Sequence, residues 1–326
     1  MTAMMTTLLA AAAAAVPQYH LAAPIASGDG GWDLASVSTG DRRVYIARTD
    51  GVTAIDLTTG RATDKIVPGE RVHAALAIPG THEVLSTNGT ANNALLFDGR
   101  TGKVRATIAT GTKPDAAAYD PATKTIWIMN PGSGDITVVD PASARVLATV
   151  PVGGSLELAA ADGKGRLFVN TEDKNEVAVL DTLKRTVVAR FVLQGCDGPT
   201  GIAYDPGSRV ILSACGNGVA IVSTPNGRRV ASLPIGRGAD GAAFDAKRHI
   251  ALVPAGRDGN VTLIRLQGTP RVVGQVTTAV SARTIALDEE SGRAYLPSAS
   301  LAPAVASERP KPIPGSFRVI VLEPKS

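Results

Sequence analysis

The sequence predicts an all-β fold built from one repeated unit, and two observations lead to that prediction. Segments of alternating apolar and polar residues run into a turn and a second such segment, mostly at intervals of 41 or 42 residues. Glycine and proline are frequent, with 34 and 21 copies, as many tight turns require. A fixed period of about 40 residues made of strands and turns indicates a stack or ring of identical supersecondary units.

Seven copies of this hairpin can be aligned, and each belongs to a four-stranded unit. The hairpins begin at Val52, Ala94, Ile136, Val177, Val219, Val261 and Phe317. In the third unit, a strand over 114–120 and a strand over 125–130 precede the hairpin. Period-two alternation with Asp-Pro, Gly and Asn between the segments is typical of strands joined by turns. Seven such units predict a seven-bladed β-propeller with four antiparallel strands in each blade.

The two ends of the chain are expected to meet in the seventh blade. The last copy stops near Ser326 without a full fourth strand, and residues 18–26 precede the first complete blade and can supply that strand. An insertion over about 297–316, rich in Pro, Ala and Ser, separates the second and third strands of this blade. It is interpreted either as a loop or as a partial lid over the channel mouth. We expect one propeller domain over 16–326, because no blade buries its apolar faces alone.

The N-terminal segment and the two cysteines both indicate export. Residues 1–15 contain a short apolar stretch followed by small residues, which predicts a cleaved signal peptide and a periplasmic or secreted protein. The stretch is too short to span a bilayer. Cys196 lies just before the first strand of the fifth blade, and Cys215 ends the second strand. A disulfide is therefore predicted, with two free buried thiols or a two-cysteine metal site as the alternatives.

The charge pattern argues against nucleic acid as the favoured partner. The net charge is only +4, and Lys and Arg concentrate in the last strand of each blade, where they discourage pairing between sheet edges. A binding track for nucleic-acid phosphates would also need aromatic partners, but aromatic residues make up only 4% of the chain.

Two recurring motifs connect the chain with a known family. Several hairpins place Asp after an apolar run, as in AID ending at Asp56 and VVD ending at Asp140, and the element GTKPDAAAYDP covers 111–121. These motifs resemble the YVTN-type, YncE-like β-propeller family over nearly the whole mature chain. The resemblance implies an exported propeller; some relatives have been linked to DNA binding, and related propellers include lactonases and cofactor-dependent dehydrogenase subunits. The later hairpins depart from the pattern at Ser223, Arg265 and Leu322.

Alignment of the repeats also predicts one polar residue per blade at the mouth of the central channel. This ring is Asp33, His73, Asp115, Glu157, Thr200, Asp240 and Arg283. Repulsion among four carboxylates should raise their pKa values unless a cation or Arg283 compensates. Asn88, Asn130 and Asn170 end second strands on the same face and complete the predicted ligand-binding set. The alternative interpretation of each single Asp or Asn is a turn cap.

The ring predicts binding of a small molecule, a protein or a divalent cation at the channel face of a monomer. Its carboxylates suit Ca²⁺ or Mg²⁺, and His73 makes Zn²⁺ a further candidate, with Glu157, Asp240 and Asp115 as the other metal ligands. A binding or scaffold protein is the favoured function. The alternatives are a metal-dependent lactonase-type hydrolase and, second, a single-stranded DNA-binding protein. The sequence contains no P-loop, no G-x-S-x-G and no H-E-x-x-H motif.

Overall fold

A computed structural model describes residues 18–303 and 310–325 and shows a ring of antiparallel sheets. The predicted signal segment over 1–15 lies outside these described residues. Within the described ranges, no helix is both long enough and apolar enough to cross a membrane.

The strands follow the predicted repeat. The chain opens with β1 (Tyr19–Leu21) and β2 (Ile25–Ala26). The first blade contains β3 (Trp32–Ser38), β4 (Arg43–Arg48), β5 (Gly51–Asp56) and β6 (Ala62–Pro68). The second contains β7 (Val72–Ala77), β8 (Glu83–Asn88), β9 (Asn93–Asp98) and β10 (Val104–Ala109). The third contains β11 (Ala117–Asp120), β12 (Thr125–Asn130), β13 (Asp135–Asp140) and β14 (Arg145–Pro151).

The remaining blades continue the same order. The fourth contains β15 (Leu156–Ala161), β16 (Arg166–Thr171), a 3-10 turn (Glu172–Lys174), β17 (Glu176–Asp181) and β18 (Thr186–Val192). The fifth contains β19 (Pro199–Asp205), β20 (Val210–Cys215), β21 (Val219–Ser223) and β22 (Arg229–Pro234). The sixth contains β23 (Ala243–Asp245), β24 (Ile250–Ala255), β25 (Asn260–Arg265) and β26 (Arg271–Thr277). The seventh contains β27 (Ala286–Leu287), β28 (Ala294–Ser298) and β29 (Arg318–Pro324).

The ring closes through the N-terminal strand, as the sequence predicted. In the seventh blade the order is β27, β28, β29 and β1, and β2 also pairs with β29. Tyr19 lies opposite Pro324 and Ile25 lies opposite Val319. The first strands of neighbouring blades contact one another around the centre, and β27 contacts β3. The seven-bladed β-propeller is therefore confirmed, with its two chain ends joined in one sheet.

The apolar core is divided into layers between neighbouring blades. The described residues form seven buried clusters, one for each blade-to-blade interface. Trp127 and Leu167, for example, meet between the third and fourth blades, and both are fully buried. Each blade contributes one face to each of two clusters. This is why a single repeat has no stable core of its own.

The recurring Asp of the hairpins caps the turn that follows it. Asp56 Oδ1 accepts hydrogen bonds from the backbone N–H groups of Thr58 and Thr59 at 2.8 and 2.9 Å. These bonds hold the pKa of the Asp56 carboxyl below its usual value, and the bond from Thr59 contributes most. Asp98 makes the same pair of bonds in the next blade. The motif is therefore a turn-stabilising device that recurs with the repeat.

The predicted disulfide is confirmed. Cys196 and Cys215 are bonded, with their Cα atoms 5.4 Å apart and both side chains buried. Cys215 ends β20 opposite Pro199, the first residue of β19. The bond therefore ties the connection from the fourth blade to the inner strands of the fifth, at the channel-mouth end.

The base of the insertion in the seventh blade packs against the first blade. Residues 299–317 separate β28 from β29, and 304–309 lie outside the described part of the chain. The rings of Trp32 and Phe317 pack at a tilted angle with their centres 5.4 Å apart, and the Arg48 guanidinium lies 3.9 Å from the centre of the Phe317 ring. Asp29 accepts a hydrogen bond from the Phe317 N–H. Both ends of this segment thus sit on the face that carries the channel mouth, and its action as a lid stays a prediction.

Candidate functional site

The innermost strands bring the seven aligned polar residues to one end of the channel. Asp33, His73, Glu157 and Thr200 are each the second residue of an innermost strand. Asp115, Asp240 and Arg283 come two or three residues before β11, β23 and β27. All innermost strands run in the same direction, since each blade repeats the same up-and-down order. The same offset in each repeat therefore lies at the same mouth.

Three consecutive blades contribute the tightest group at this mouth. A hydrogen bond of 2.8 Å joins His73 Nδ1 to Asp33 Oδ2, and Asp115 Oδ2 lies 3.8 Å from the same nitrogen. One ligand atom from each of the three residues lies within 4.8 Å of the other two. The His73 side chain is only 12% exposed, so this imidazole faces the channel from a largely enclosed position.

The second polar group of the mouth is an arginine held between two carboxylates. Arg283 Nε donates to Asp240 Oδ2 at 2.7 Å, and its Nη2 lies 3.5 Å from Asp33 Oδ1. Nη2 also donates to the carbonyl oxygen of Trp32 at 3.1 Å. Burial lowers the pKa of Arg283, but the Asp240 and Asp33 carboxylates outweigh burial and hold it above its usual value. The mouth therefore keeps a fixed positive charge beside its carboxylates.

Burial of carboxylates in the mouth shifts their pKa values strongly. Burial raises the pKa of Glu157 to about 9, and the nearby carboxylates of Asp115 and Asp240 add to the shift. It raises the pKa of Asp240 to about 7 despite the neighbouring Arg283. Burial also raises the pKa of Asp115. The upward direction was expected from repulsion, but the larger cause is loss of solvent. At neutral pH Glu157 keeps its proton.

The pKa of His73 is raised, although burial alone would lower it. Burial lowers its pKa, but the hydrogen bond to Asp33 and the charges of Asp115 and Asp33 together raise it above the usual value. The imidazole also lies tightly against Gly89, where an added β-carbon would stand 2.9 Å from Nε2. A residue larger than glycine at this position would displace the ring from its two carboxylates.

Three threonine hydroxyls donate hydrogen bonds to backbone carbonyls of neighbouring blades at the mouth end. Thr200, predicted as a ligand, instead donates its hydroxyl to the carbonyl oxygen of Ala239 at 2.8 Å. Thr284 donates to the carbonyl of Asp33 at 3.0 Å, and Thr87 donates to that of Asp115 at 2.6 Å. The sequence interpretation missed Thr87 and Thr284, because they do not occupy one equivalent position in the repeat. These bonds set the separation of the residues in the mouth.

The three predicted asparagines lie within the blades. They are almost completely buried, with exposed fractions of 2% or less. Asn170 Nδ2 donates to the carbonyl oxygens of Thr200 and Gly201 at 3.2 and 2.9 Å, which joins the fourth and fifth blades. Asn130 and Asn88 donate to the side chains of Asp135 and Asn93 across their own hairpins. Their place in the ligand-binding set stays a prediction, but their hydrogen bonds assign them a structural role.

The structure groups the candidate metal ligands differently from the sequence prediction. Of the four predicted ligands, His73 and Asp115 belong to the close cluster, and Asp33 is its third member. Among the described residues, Glu157 and Asp240 join no such cluster. The three clustered residues come from consecutive blades, whereas Asp240 belongs to the sixth blade. Asp240 is moreover engaged by Arg283.

Below the mouth the channel becomes apolar and narrow. A cavity of about 90 Å³ is lined by Leu34, Leu76, Leu158 and Ile285 together with several alanines. The innermost strands of the fifth and sixth blades approach so closely that a β-carbon on Gly201 would stand 2.4 Å from the Gly241 backbone. The channel thus combines a charged mouth with an apolar floor.

Comparisons with known proteins support the fold and leave the family undetermined. No protein-family model matches the chain, and no curated protein matches it either. Solved structures do match, and one is hydrazine synthase from Kuenenia stuttgartiensis. That likeness has a TM-score of 0.68 at 16% sequence identity and covers 82% of this chain and 92% of that chain. In all, 1687 solved chains match, so likeness at this level shows a widely used architecture and not an activity.

The fold and the mouth together define the class of protein. The chain is a seven-bladed β-propeller, an architecture that serves generally as a binding scaffold. Its relation to the YncE-like family stays a prediction.

Proposed function

We propose that the protein is an exported, YncE-like binding propeller that holds a divalent cation, free or as part of a ligand, at its channel mouth. The observation that carries the proposal is the convergence of Asp33, His73 and Asp115, whose potential ligand atoms lie within 4.8 Å of one another. The disulfide supports export, because such bonds persist in oxidising compartments. The aligned hairpins with their capping Asp residues support the family assignment.

The donor set favours a borderline cation. One imidazole nitrogen and two carboxylate oxygens suit Zn²⁺ or Mn²⁺ better than an all-oxygen set would. Ligand atoms about 2.0–2.2 Å from one ion are separated from each other by distances of the kind observed between His73 Nδ1 and the two carboxylates. Binding through Nδ1 replaces the hydrogen bond to Asp33, so the cation competes with a proton.

This competition predicts the pH dependence of binding. The pKa of His73 is raised, so below that pKa the imidazole is protonated and a cation has to displace the proton. Affinity should therefore increase as pH rises above the usual imidazole value of 6.5. Glu157, which keeps its proton at neutral pH, can donate a hydrogen bond to an oxygen atom of a cation-bound ligand. Arg283 supplies the complementary charge for an anionic group of that ligand.

Calorimetric titration of metal-depleted protein with Zn²⁺, Mn²⁺ and Ca²⁺ tests the proposal. We expect one Zn²⁺ or Mn²⁺ per chain and at least tenfold weaker binding by Asp115→Asn, which keeps the side-chain shape but removes the charge. Asp197→Asn is the matched control, because Asp197 is an exposed carboxylate outside the cluster on the same face. Absence of binding for all three ions, or equal loss in both variants, would overturn the proposal.

The same samples separate the alternatives. Lactone hydrolysis that a chelator abolishes would point to the hydrolase. Binding of a single-stranded oligonucleotide that weakens steeply with salt, with no metal bound, would point to the nucleic-acid function.

A further inference from the structure

The end of the propeller opposite the channel mouth carries a concentrated positive surface. The turns between first and second strands and between third and fourth strands lie at this end, because the innermost strands begin at the mouth. In the third, fourth and fifth blades these six turns, counted with the strand residue on either side of each, contain nine Lys or Arg and five Asp. We define the basic turn surface by five of its exposed members, Lys124, Lys164, Lys184, Arg209 and Leu183.

The turns of these blades adjoin one another. A β-carbon on Gly163 of the fourth blade would stand 3.5 Å from Pro121 of the third. A β-carbon on Gly165 would stand 3.8 Å from Leu183, which belongs to the other turn of the fourth blade. Tyr204 of the fifth blade is within electrostatic reach of both Asp162 and Arg209. The turns therefore form one continuous surface.

Three of the five Asp side chains at these turns are buried, while the cations of the basic turn surface are exposed. Asp120 and Asp205 are at most 1% exposed, and each accepts a backbone hydrogen bond within its own turn. Asp181 Oδ1 accepts the N–H groups of Leu183 and Lys184 at 3.1 and 2.9 Å. Backbone hydrogen bonding, chiefly from Lys184, holds the pKa of Asp181 below its usual value. Lys124, Lys164, Lys184 and Arg209 thus form an exposed cationic layer outside these three buried Asp side chains.

A leucine projects from the middle of this cationic layer. Leu183 is 73% exposed, although a polar residue could occupy this position of the turn equally well. It directly precedes Lys184 and Arg185. An apolar side chain surrounded by Lys and Arg matches the boundary of a bilayer, where phosphates lie just above acyl chains. A nucleic-acid surface would call for aromatic residues for stacking, and the six turns contain none.

We propose that the basic turn surface docks on an anionic phospholipid bilayer, with Leu183 inserted between the headgroups. This orientation directs the channel mouth away from the membrane and leaves it accessible to its ligand. Each Lys or Arg near an anionic bilayer contributes about fivefold in affinity. Reversal of two charges should therefore weaken binding by well over twentyfold. The proposal is independent of what the mouth binds.

Co-sedimentation with vesicles tests the charge requirement. Vesicles of phosphatidylglycerol and phosphatidylcholine should bind the protein at low salt, and vesicles of phosphatidylcholine alone should not. The variant Lys164→Glu/Lys184→Glu should lose this binding. The matched control is Lys174→Glu/Arg257→Glu, which changes the net charge equally with two exposed cations at the mouth end. Equal binding by the two double variants, or binding to both vesicle types, would overturn the docking surface.

A second pair of variants tests the insertion of the leucine. Leu183→Ser should weaken vesicle binding several-fold, while Leu147→Ser, at a 39% exposed position on the rim of the third blade, should not. Equal binding by both would overturn the insertion. If the unchanged protein binds a single-stranded oligonucleotide and not the vesicles, the surface is a nucleic-acid site and the membrane proposal fails.

Discussion

Substitution of Glu157 by Gln should make the propeller more stable at alkaline pH. The folded protein holds a proton on Glu157 until pH approaches about 9, while the unfolded chain releases it near the usual value of 4.5. Between these values the folded state binds more protons, so a rise in pH favours unfolding. Glutamine copies the protonated carboxyl in shape and cannot ionise. It should therefore remove this loss of stability.

The size of the effect follows from the pKa shift. One pKa unit corresponds to about 1.4 kcal/mol. A shift from 4.5 to about 9 therefore limits the loss in the free energy of unfolding caused by Glu157 to about 6 kcal/mol. Glu157 faces a channel that is open at its mouth, and solvent there reduces the cost of ionisation. We expect a gain of about 2 kcal/mol at pH 9. In a chain of 326 residues, the gain corresponds to a Tm increase of roughly 3 °C.

Thermal unfolding followed by circular dichroism between pH 4 and pH 9 measures this effect. The Glu157→Gln variant and the unchanged protein should have similar Tm values at pH 4 and should diverge as pH rises from 4.5 towards 9. Glu289→Gln, at an exposed position at the opposite end of the channel, is the matched control and should show no divergence. A constant Tm difference across the whole pH range would refute the assignment of a buried, protonated Glu157.

Three further predictions concern the fold. Replacement of Cys196 and Cys215 by Ser should lower the free energy of unfolding by about 3 kcal/mol, and a reductant should lower the Tm of the unchanged protein only. Tyr19→Phe removes the 2.7 Å hydrogen bond to Asp245 in the sixth blade and should cost about 1 kcal/mol in chemical denaturation. Gly102→Ala should yield little folded protein on expression, because the residue has a φ of +75° and its β-carbon would stand 2.0 Å from a backbone oxygen of the first blade.

The fold could be predicted because its information is local and repeated. Alternating apolar and polar residues define the two faces of each strand. The same pattern at seven places in the chain predicts a ring of seven blades. Asp56 shows how a single motif residue acts within its own turn, independently of the rest of the chain. The disulfide was predictable for a similar reason, since paired antiparallel strands bring Cys196 and Cys215 to one edge.

The candidate site was predictable only in part. Alignment of the repeats placed Asp33, His73 and Asp115 at one mouth, because equal offsets in equal blades occupy equal heights. The alignment contains no information on which of these side chains contact each other. The structure shows that Asp33, His73 and Asp115 meet, whereas Glu157 joins no such cluster among the described residues and lies where burial keeps it protonated. Asn170 was aligned with the mouth but donates its hydrogen bonds between blades.

The sequence by itself therefore determined the architecture, the closure of the ring and the end of the channel at which the polar residues lie. Only the tertiary structure decided their partners and their protonation. Distances between blades depend on how side chains fill the seven interfaces and on ties such as the one from Thr284 to Asp33. A pKa depends on the solvent and charge that several distant segments together place around one group. The repeat period predicts neither the distances between blades nor the pKa values, because both depend on contacts between repeats.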